Sequence, residues 1–179
     1  MLFTEVALLD ELLERYASVL GDDLTAYRNH TYRVMNFCSA LSANNTPEQL
    51  QKMAIAAAFH DMGIWTDRTF DYLEPSEKLA KAYLAQSGNE DLTPEVVAMI
   101  SAHHKITAYQ AGPDSLVESF RKADWIDVSK GLITFGLPRT LVREVLCAFP
   151  NAGFHKRLVQ LSFKRLLTHP FSPLPMMRL

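Results

Sequence analysis

Residues 58–65 read AFHDMGIW and follow the apolar run MAIAAA at 53–58. A histidine and an aspartate, His60 and Asp61, therefore stand side by side where the chain has just become continuously apolar. Burying an imidazole and a carboxylate costs free energy unless each finds a partner. Adjacent helical residues point about 100° apart, so a cation against the ridge between these two side chains is within reach of both. We expect neighbouring helices, which small alanine side chains allow to come close, to supply further ligands.

Helix signals surround this segment along almost the whole chain. Thr46, Pro47 and Glu48 supply a capping residue, a proline at the first helical position and an acid in the first turn. No run alternates convincingly with period two, and the apolar stretch at 131–137 is interpreted as a connection. The pattern predicts eight helices, at about 4–20, 24–43, 46–61, 74–88, 93–104, 113–130, 138–149 and 152–168. The predicted fold is a single compact all-α domain of about eight helices, spanning residues 1–179.

The C-terminal segment HPFSPLPMMRL, residues 169–179, departs from the helical pattern. Its closely spaced prolines exclude a helix and favour an extended, polyproline-like path. Its leucine and methionine side chains are too apolar to stay in water. We expect this tail to lie along the domain surface or along a neighbouring subunit, so a homodimer remains open.

Composition narrows the class of protein. The chain has 179 residues, of which 48% are hydrophobic and 21% charged, as in ordinary globular proteins. The net charge of −2 gives no reason to expect a nucleic-acid polymer as partner. Two cysteines, Cys38 and Cys147, are too few for a disulfide framework, which favours a cytoplasmic protein. Acidic residues among the leucines of segment 1–20 argue against a signal peptide, and no stretch is long enough for a membrane span.

Polar groups also lie on the apolar faces of three other predicted helices. His30 shares such a face on the second helix, where a lone histidine is more often a satisfied core residue than a ligand. His103 and His104 end the apolar stripe of the fifth helix. Asp124 and Asp127 lie on the apolar face of the sixth helix, and an aspartate is almost never fully buried without a partner. Four helix surfaces that face the core therefore carry groups suited to a metal ion or a proton.

The order of these groups along the chain resembles the HD-domain superfamily of metal-dependent phosphohydrolases. HDMG at 60–63 is similar to the superfamily's central motif, a His-Asp pair followed by a hydrophobic residue and glycine. KADWID at 122–127 resembles the closing motif, in which an Ala-Asp pair precedes a second acid. The resemblance covers the predicted metal-site core, about 24–130, and leaves the C-terminal helices at 138–168 without a usable motif. It implies four metal ligands: His30, His60, Asp61 and Asp124.

This ligand set has a definite chemistry. Two imidazoles and two carboxylates without a thiolate suit one divalent ion of Mn, Fe, Co, Ni, Mg or Zn. On an octahedral ion, four protein ligands leave two positions for water and a substrate oxygen. The ion acidifies the bound water toward neutral pH and polarises a phosphoryl oxygen. The identity of the metal stays open.

Other residues are candidates for the remaining roles. His104 and Asp127 are candidates for the general acid or base. Asp127 has two alternatives, which are to orient a ligand histidine or to pair with a nearby cation of its own helix. Arg33, His103 and Lys105 are candidates for binding the substrate anion. The alternatives are a core or supporting position for His103 and a solvated face for the two cations.

The predicted function is a metal-dependent phosphohydrolase for a nucleotide or small phosphate ester. Phe70 and Tyr72 are candidates for a wall of its pocket, although core packing is the more common role of such aromatics. One alternative is a hydratase or lyase that uses the same metal scaffold without phosphate. The other is a non-catalytic, metal-stabilised module that senses a ligand.

Overall fold

Ten α-helices build the fold of the computed structural model, which describes residues 2–110, 112 and 114–177. Their bounds are α1 (Ala7–Arg15), α2 (Ala17–Leu20), α3 (Leu24–Leu41), α4 (Pro47–Phe59), α5 (Gly63–Thr66), α6 (Leu73–Gln86), α7 (Thr93–Ala102), α8 (Val117–Val128), α9 (Arg139–Ala148) and α10 (Phe154–Thr168). Two 3₁₀ turns, Gly21–Asp23 and Glu90–Leu92, precede α3 and α7. The described residues contain no strand. The all-α prediction is thus confirmed. Two of the ten helices, α2 and α5, are single turns, and the other eight correspond to the eight predicted helices.

The start of α4 follows directly from its sequence. Thr46 accepts a hydrogen bond from the Gln49 backbone N–H at 3.2 Å, and its own N–H donates to the Gln49 side chain at 3.0 Å. This reciprocal capping box, with Pro47 at the first helical position, fixes where the helix begins. The helix ends at Phe59, so His60 and Asp61 lie in the turn that follows.

The long helix α3 organises the interior. It packs along α8, and α4 packs against α1, α3 and α7. Fully buried aromatics such as Phe37 on α3 and Phe120 on α8 stabilise this packing, each by about 1.5–3 kcal/mol relative to an exposed side chain. The same helices also bury polar side chains, among them His30 and Asp124. The core therefore contains ionisable side chains in addition to apolar ones.

Gly63 allows α6 to approach the His-Asp turn. A Cβ at this position would lie 2.6 Å from the Tyr72 carbonyl oxygen and 2.9 Å from the Pro75 Cβ. The Gly63 N–H donates to the Ser76 hydroxyl at 3.0 Å. The glycine of HDMG is therefore required by close packing between α5 and the start of α6.

The structure differs from the predicted helices in a few places. The first helix, predicted at about 4–20, begins only after Val6 and is divided at Tyr16 into α1 and α2. The single turn α5 was not predicted, because four residues show no periodicity. The sixth helix, predicted at about 113–130, begins only at Val117, since residues 114–116 are not helical; residue 113 lies outside the described residues.

The C-terminal tail is described as far as Met177. Phe171 is fully exposed, whereas Met176 is 4% exposed and belongs to the core. Residues 178 and 179 of the predicted extended segment lie outside the described residues. Among the residues that the structure describes, no helix is long and apolar enough to span a membrane.

Candidate metal centre

The four predicted metal ligands meet in the interior. His30 comes from the middle of α3, Asp124 from α8, and His60 and Asp61 from the turn after α4. The two histidine Nε2 atoms lie 2.8 Å apart. Asp61 Oδ2 lies 3.6 Å from each of them, and Asp124 Oδ1 lies 3.6 Å from His30 Nε2 and 3.9 Å from His60 Nε2. All four side chains are at most 4% exposed, so they surround one small, buried volume.

Hydrogen bonds on the far side of each ring orient the histidines. His30 Nδ1 lies 2.6 Å from Asp127 Oδ2, and His60 Nδ1 lies 2.8 Å from the Ala57 carbonyl oxygen. His103, in the turn after α7, makes the same kind of contact to the Ile100 carbonyl oxygen at 2.6 Å. Because a carbonyl or carboxylate only accepts, Nδ1 must carry the proton. In the neutral rings, Nε2 then presents a lone pair to the shared volume.

Several buried atoms at this point have no hydrogen-bond partner. They are Asp61 Oδ1, both carboxylate oxygens of Asp124, and His103 Nε2. Asp61 Oδ1 and His103 Nε2 lie 3.3 Å apart, and both are acceptors when the His103 ring is neutral. Burial lowers the pKa of His103, but the Asp61 and Asp124 carboxylates raise it above its ordinary value. Native interiors rarely leave polar atoms unpaired, so this facing pair requires a proton or a metal cation between the two atoms. The residues present therefore fit a divalent metal.

Among the described residues, three groups of three side chains have ligand atoms within 4.8 Å of one another. These groups are His30–His60–Asp124, His60–Asp61–His103 and His103–His104–Asp124. His103 appears in two of them and is fully buried. The structure thus brings His103 to the predicted ligands, in a position suited to metal binding or to support of the ligands.

His104 lies on the less enclosed side of the centre. Its side chain is 15% exposed, and its Nδ1 lies 3.3 Å from Asp124 Oδ2. Its Nε2 lies 2.6 Å from the Tyr72 hydroxyl. Burial and the neighbouring His103 hold the pKa of His104 well below its ordinary value, so the imidazole is neutral. Burial raises the pKa of Tyr72 well above 10, so the phenol keeps its proton.

Asp127 and Arg33 form an ion pair behind His30. Arg33 Nε and Nη2 lie 2.5 and 2.9 Å from the Asp127 carboxylate, and Nη1 donates to the Phe149 carbonyl oxygen at 3.0 Å. Arg33 is 1% exposed. The sequence makes Arg33 a candidate for substrate binding and Asp127 a candidate for acid–base chemistry or for orienting a ligand histidine. The structure joins the two side chains, because α3 and α8 bury both on facing surfaces, and it places the Asp127 carboxylate against His30 Nδ1. Arg121 and Lys122 pair with Glu118 and not with Asp127.

Burial and charge set the protonation of this cluster. Burial raises the pKa of Asp127, but hydrogen bonds from His30 and Arg33 outweigh it and hold the pKa well below its ordinary value. Burial lowers the pKa of His30, but the Asp127 carboxylate bonded to its Nδ1 and the nearby Asp61 carboxylate raise it to about 9. Burial, with His30 and His103 as neighbours, lowers the pKa of His60 to about 3. A proton on His30 therefore supplies positive charge in the metal-free centre.

Sequence reasoning missed the position of Tyr27 and left that of Tyr72 open. The Tyr27 hydroxyl donates to the Ala58 carbonyl oxygen at 3.0 Å and accepts from the Asp61 N–H at 3.3 Å. A signal existed, because Tyr27 lies three residues before His30 on the same face of α3. Tyr72 precedes α6 and reaches His104 through tertiary packing alone. Lys105 is partly buried, and its carbonyl oxygen accepts from Arg121 and Trp125.

Comparison with known proteins agrees with this geometry. The family model of the HD domain matches residues 27–129, which is more than half of the chain. The match begins beside His30 and ends just after Asp127, so it contains every group of the centre. Searches of curated proteins and of solved structures gave no match.

Proposed function

The chain belongs to the HD domain family, and on this basis we propose that it is a metal-dependent phosphohydrolase acting on a nucleotide or small phosphate ester. Most members of this family are metal-dependent phosphohydrolases. The proposed ligands of one divalent ion are His30, His60, Asp61 and Asp124. The observation that carries the proposal is the set of buried, unpartnered acceptors that face one another at this point.

When bound, a divalent ion supplies a Lewis acid that polarises a phosphoryl oxygen and makes water more acidic. The protein holds the ligands in the required tautomer. Asp127 accepts from His30, and backbone carbonyls accept from His60 and His103. A ligand set with several imidazoles and no thiolate suits Mn, Fe, Co, Ni or Zn better than Mg, which prefers oxygen. His103, with an unpartnered Nε2, is a further donor at the same centre.

We assign the acid–base role to His104. It is neutral and partly exposed, and it lies between the Tyr72 hydroxyl and the Asp124 carboxylate. Asp127 acts on His30 and not on substrate, because its carboxylate is fully buried and already bonded to His30 and Arg33. Lys105 remains the predicted contact to the substrate anion.

Activity on a panel of nucleotides and small phosphate esters, with added Mn²⁺, Co²⁺ or Ni²⁺, tests the proposal. We expect the wild type to release phosphate and Asp61→Ala to lose both activity and metal. Asp71→Ala is the matched control, because Asp71 is exposed and its backbone N–H, which the substitution keeps, bonds to Thr69. Full activity of Asp61→Ala on any accepted ester would contradict the proposed mechanism.

One observation favours a second candidate, a metal-dependent hydratase or lyase without phosphate. The guanidinium of Arg33, which was expected to bind an anion, is used by Asp127 and by the Phe149 carbonyl oxygen. Aromatic side chains contact the centre: Tyr72 packs against His104, and Phe120 packs against His60. The panel therefore includes small nitriles. Their turnover, without release of phosphate from any ester, would select this candidate.

A further inference from the structure

A cavity of about 650 Å³ lies beside the C-terminal helix α10, and no side chain of the metal centre lines it. It is bounded by α10, by the segment after α5 and by the end of α2. Two aromatic side chains, Trp65 and Phe70, form part of its wall. Its volume falls within the range of about 300–1,000 Å³ that is usual for small-molecule sites.

The cavity collects positive charge from two distant parts of the chain. Its four cationic side chains are Arg68, Arg157, Lys164 and Arg165. Two acidic side chains, Asp22 and Asp23, also line it. Asp23 is already used, because its carboxylate lies 3.0 Å from Arg157 Nε and accepts from Trp65 Nε1 at 2.9 Å. The cations therefore exceed what the cavity's own acids neutralise.

Three of these cations have no ion pair within the part of the chain that the structure describes. None of Arg68, Lys164 and Arg165 lies within 4.0 Å of a carboxylate oxygen there. Arg68 also has a backbone φ of 52°, a left-handed conformation that non-glycine residues rarely adopt. Such strained positions concentrate where a side chain serves a ligand.

We propose that this cavity binds a phosphate-bearing small molecule at a site separate from the metal centre. The phosphate lies against Arg68, Lys164 and Arg165, since guanidinium and ammonium groups bind phosphate oxygens through charge-assisted hydrogen bonds. An attached ring packs against Trp65 or Phe70. This site goes beyond the proposed hydrolase, because it requires neither the metal nor catalysis.

The cavity is also connected to the metal centre by direct contacts. The Trp65 ring packs against Tyr27 with centroids 4.7 Å apart, and the Tyr27 hydroxyl accepts from the Asp61 N–H. A ligand that contacts Trp65 is therefore separated by this one side chain from Tyr27, whose hydroxyl contacts the backbone of the His-Asp pair. Trp65 also provides an intrinsic probe of the cavity.

Fluorescence titration tests the site. The chain has two tryptophans, so Trp125→Phe leaves Trp65 as the sole reporter. The probes are inorganic pyrophosphate and ADP, added to metal-free protein in EDTA. We expect a saturable change in Trp65 emission, with affinity at least tenfold weaker after adding Arg68→Ala and Lys164→Ala together. Lys156→Ala is the matched control, because Lys156 is an exposed cation of α10 that does not line the cavity.

The outcomes separate the sources of binding. Tighter binding of ADP than of pyrophosphate supports a ligand with a ring, and equal binding supports recognition of phosphate alone. Binding must persist in Asp61→Ala, because the site does not include the metal centre. The proposal is overturned by loss of binding in Asp61→Ala, by equal affinity in the double variant, or by no saturable change. If Trp125→Phe fails to fold, calorimetry on the otherwise unaltered chain gives the same comparisons.

Discussion

Replacing Asp127 by asparagine tests how the protein prepares His30 for a metal. The carboxylate makes three short contacts, one of 2.6 Å to His30 Nδ1 and two of 2.5 and 2.9 Å to Arg33. Asparagine keeps the shape but offers one acceptor oxygen and an NH₂ group. If the oxygen serves His30, the NH₂ group faces the Arg33 Nε–H, and donor opposes donor. Arg33, 1% exposed, also loses its counter-charge.

These contacts set the size of two separate effects. Breaking a buried ion pair by removing one partner costs about 3–5 kcal/mol of unfolding free energy. Removing the group that orients a ligand histidine weakens metal binding by roughly 10–100-fold. We therefore expect Asp127→Asn to lower both the free energy of unfolding in urea and the affinity for Co²⁺ or Mn²⁺.

The double variant Asp127→Asn with Arg33→Met separates these effects. Removing the buried guanidinium takes away the unpaired charge, so part of the lost stability should return. Metal affinity should stay low, because His30 still lacks its carboxylate. Calorimetric titration of metal and urea unfolding measure the two quantities on the same preparations. Metal affinity that follows stability in both variants would refute a specific orienting role for Asp127.

Three further predictions follow from the centre. The pKa of His30 is about 9 in the metal-free protein, and a metal needs the neutral ring. Metal binding at pH 7–8 should therefore release a proton, and metal affinity should rise roughly tenfold per pH unit up to about pH 9. A pH-indicator titration showing no proton release would contradict this. Gly63→Ala should lower the free energy of unfolding by about 1–3 kcal/mol through overpacking. The control is Gly112→Ala, where a Cβ meets nothing within 4 Å, and equal stability of the two variants would contradict the prediction. Tyr72→Phe should keep the metal but lower kcat by roughly tenfold or more, because His104 loses the hydroxyl on Nε2; an unchanged kcat would remove Tyr72 from the mechanism.

Residues whose signal is local were predictable from the sequence. The Thr46 cap, the all-α fold and the polar residues on apolar helix faces depend on neighbours along one helix. Burial of His30 and Asp124 follows because those faces turn inward. The family relation of segment 27–129, expected from HDMG and KADWID, is confirmed.

Features that depend on which surfaces meet were not predictable. Arg33 and Asp127 are 94 residues apart in the sequence. The local sequence around each is equally compatible with a side chain that faces substrate and with one that forms an ion pair in the core. The segment after residue 130 carries no motif, yet Phe154 stacks on the His30 ring with centroids 4.0 Å apart. The burial of His103 likewise depends on how α7 packs against α4 and α8.

The proposed function requires one cation shared by the four ligands, and the presence of this ion is directly measurable. Elemental analysis with X-ray absorption of the purified protein, incubated with Mn²⁺, Co²⁺ or Ni²⁺ and then desalted, should give close to one ion per chain. Its nearest neighbours should be only nitrogen and oxygen, with the scattering pattern of imidazole, and Asp61→Ala should lose the ion. A wild-type protein that retains no metal, or one whose ion has sulfur neighbours, would contradict the account.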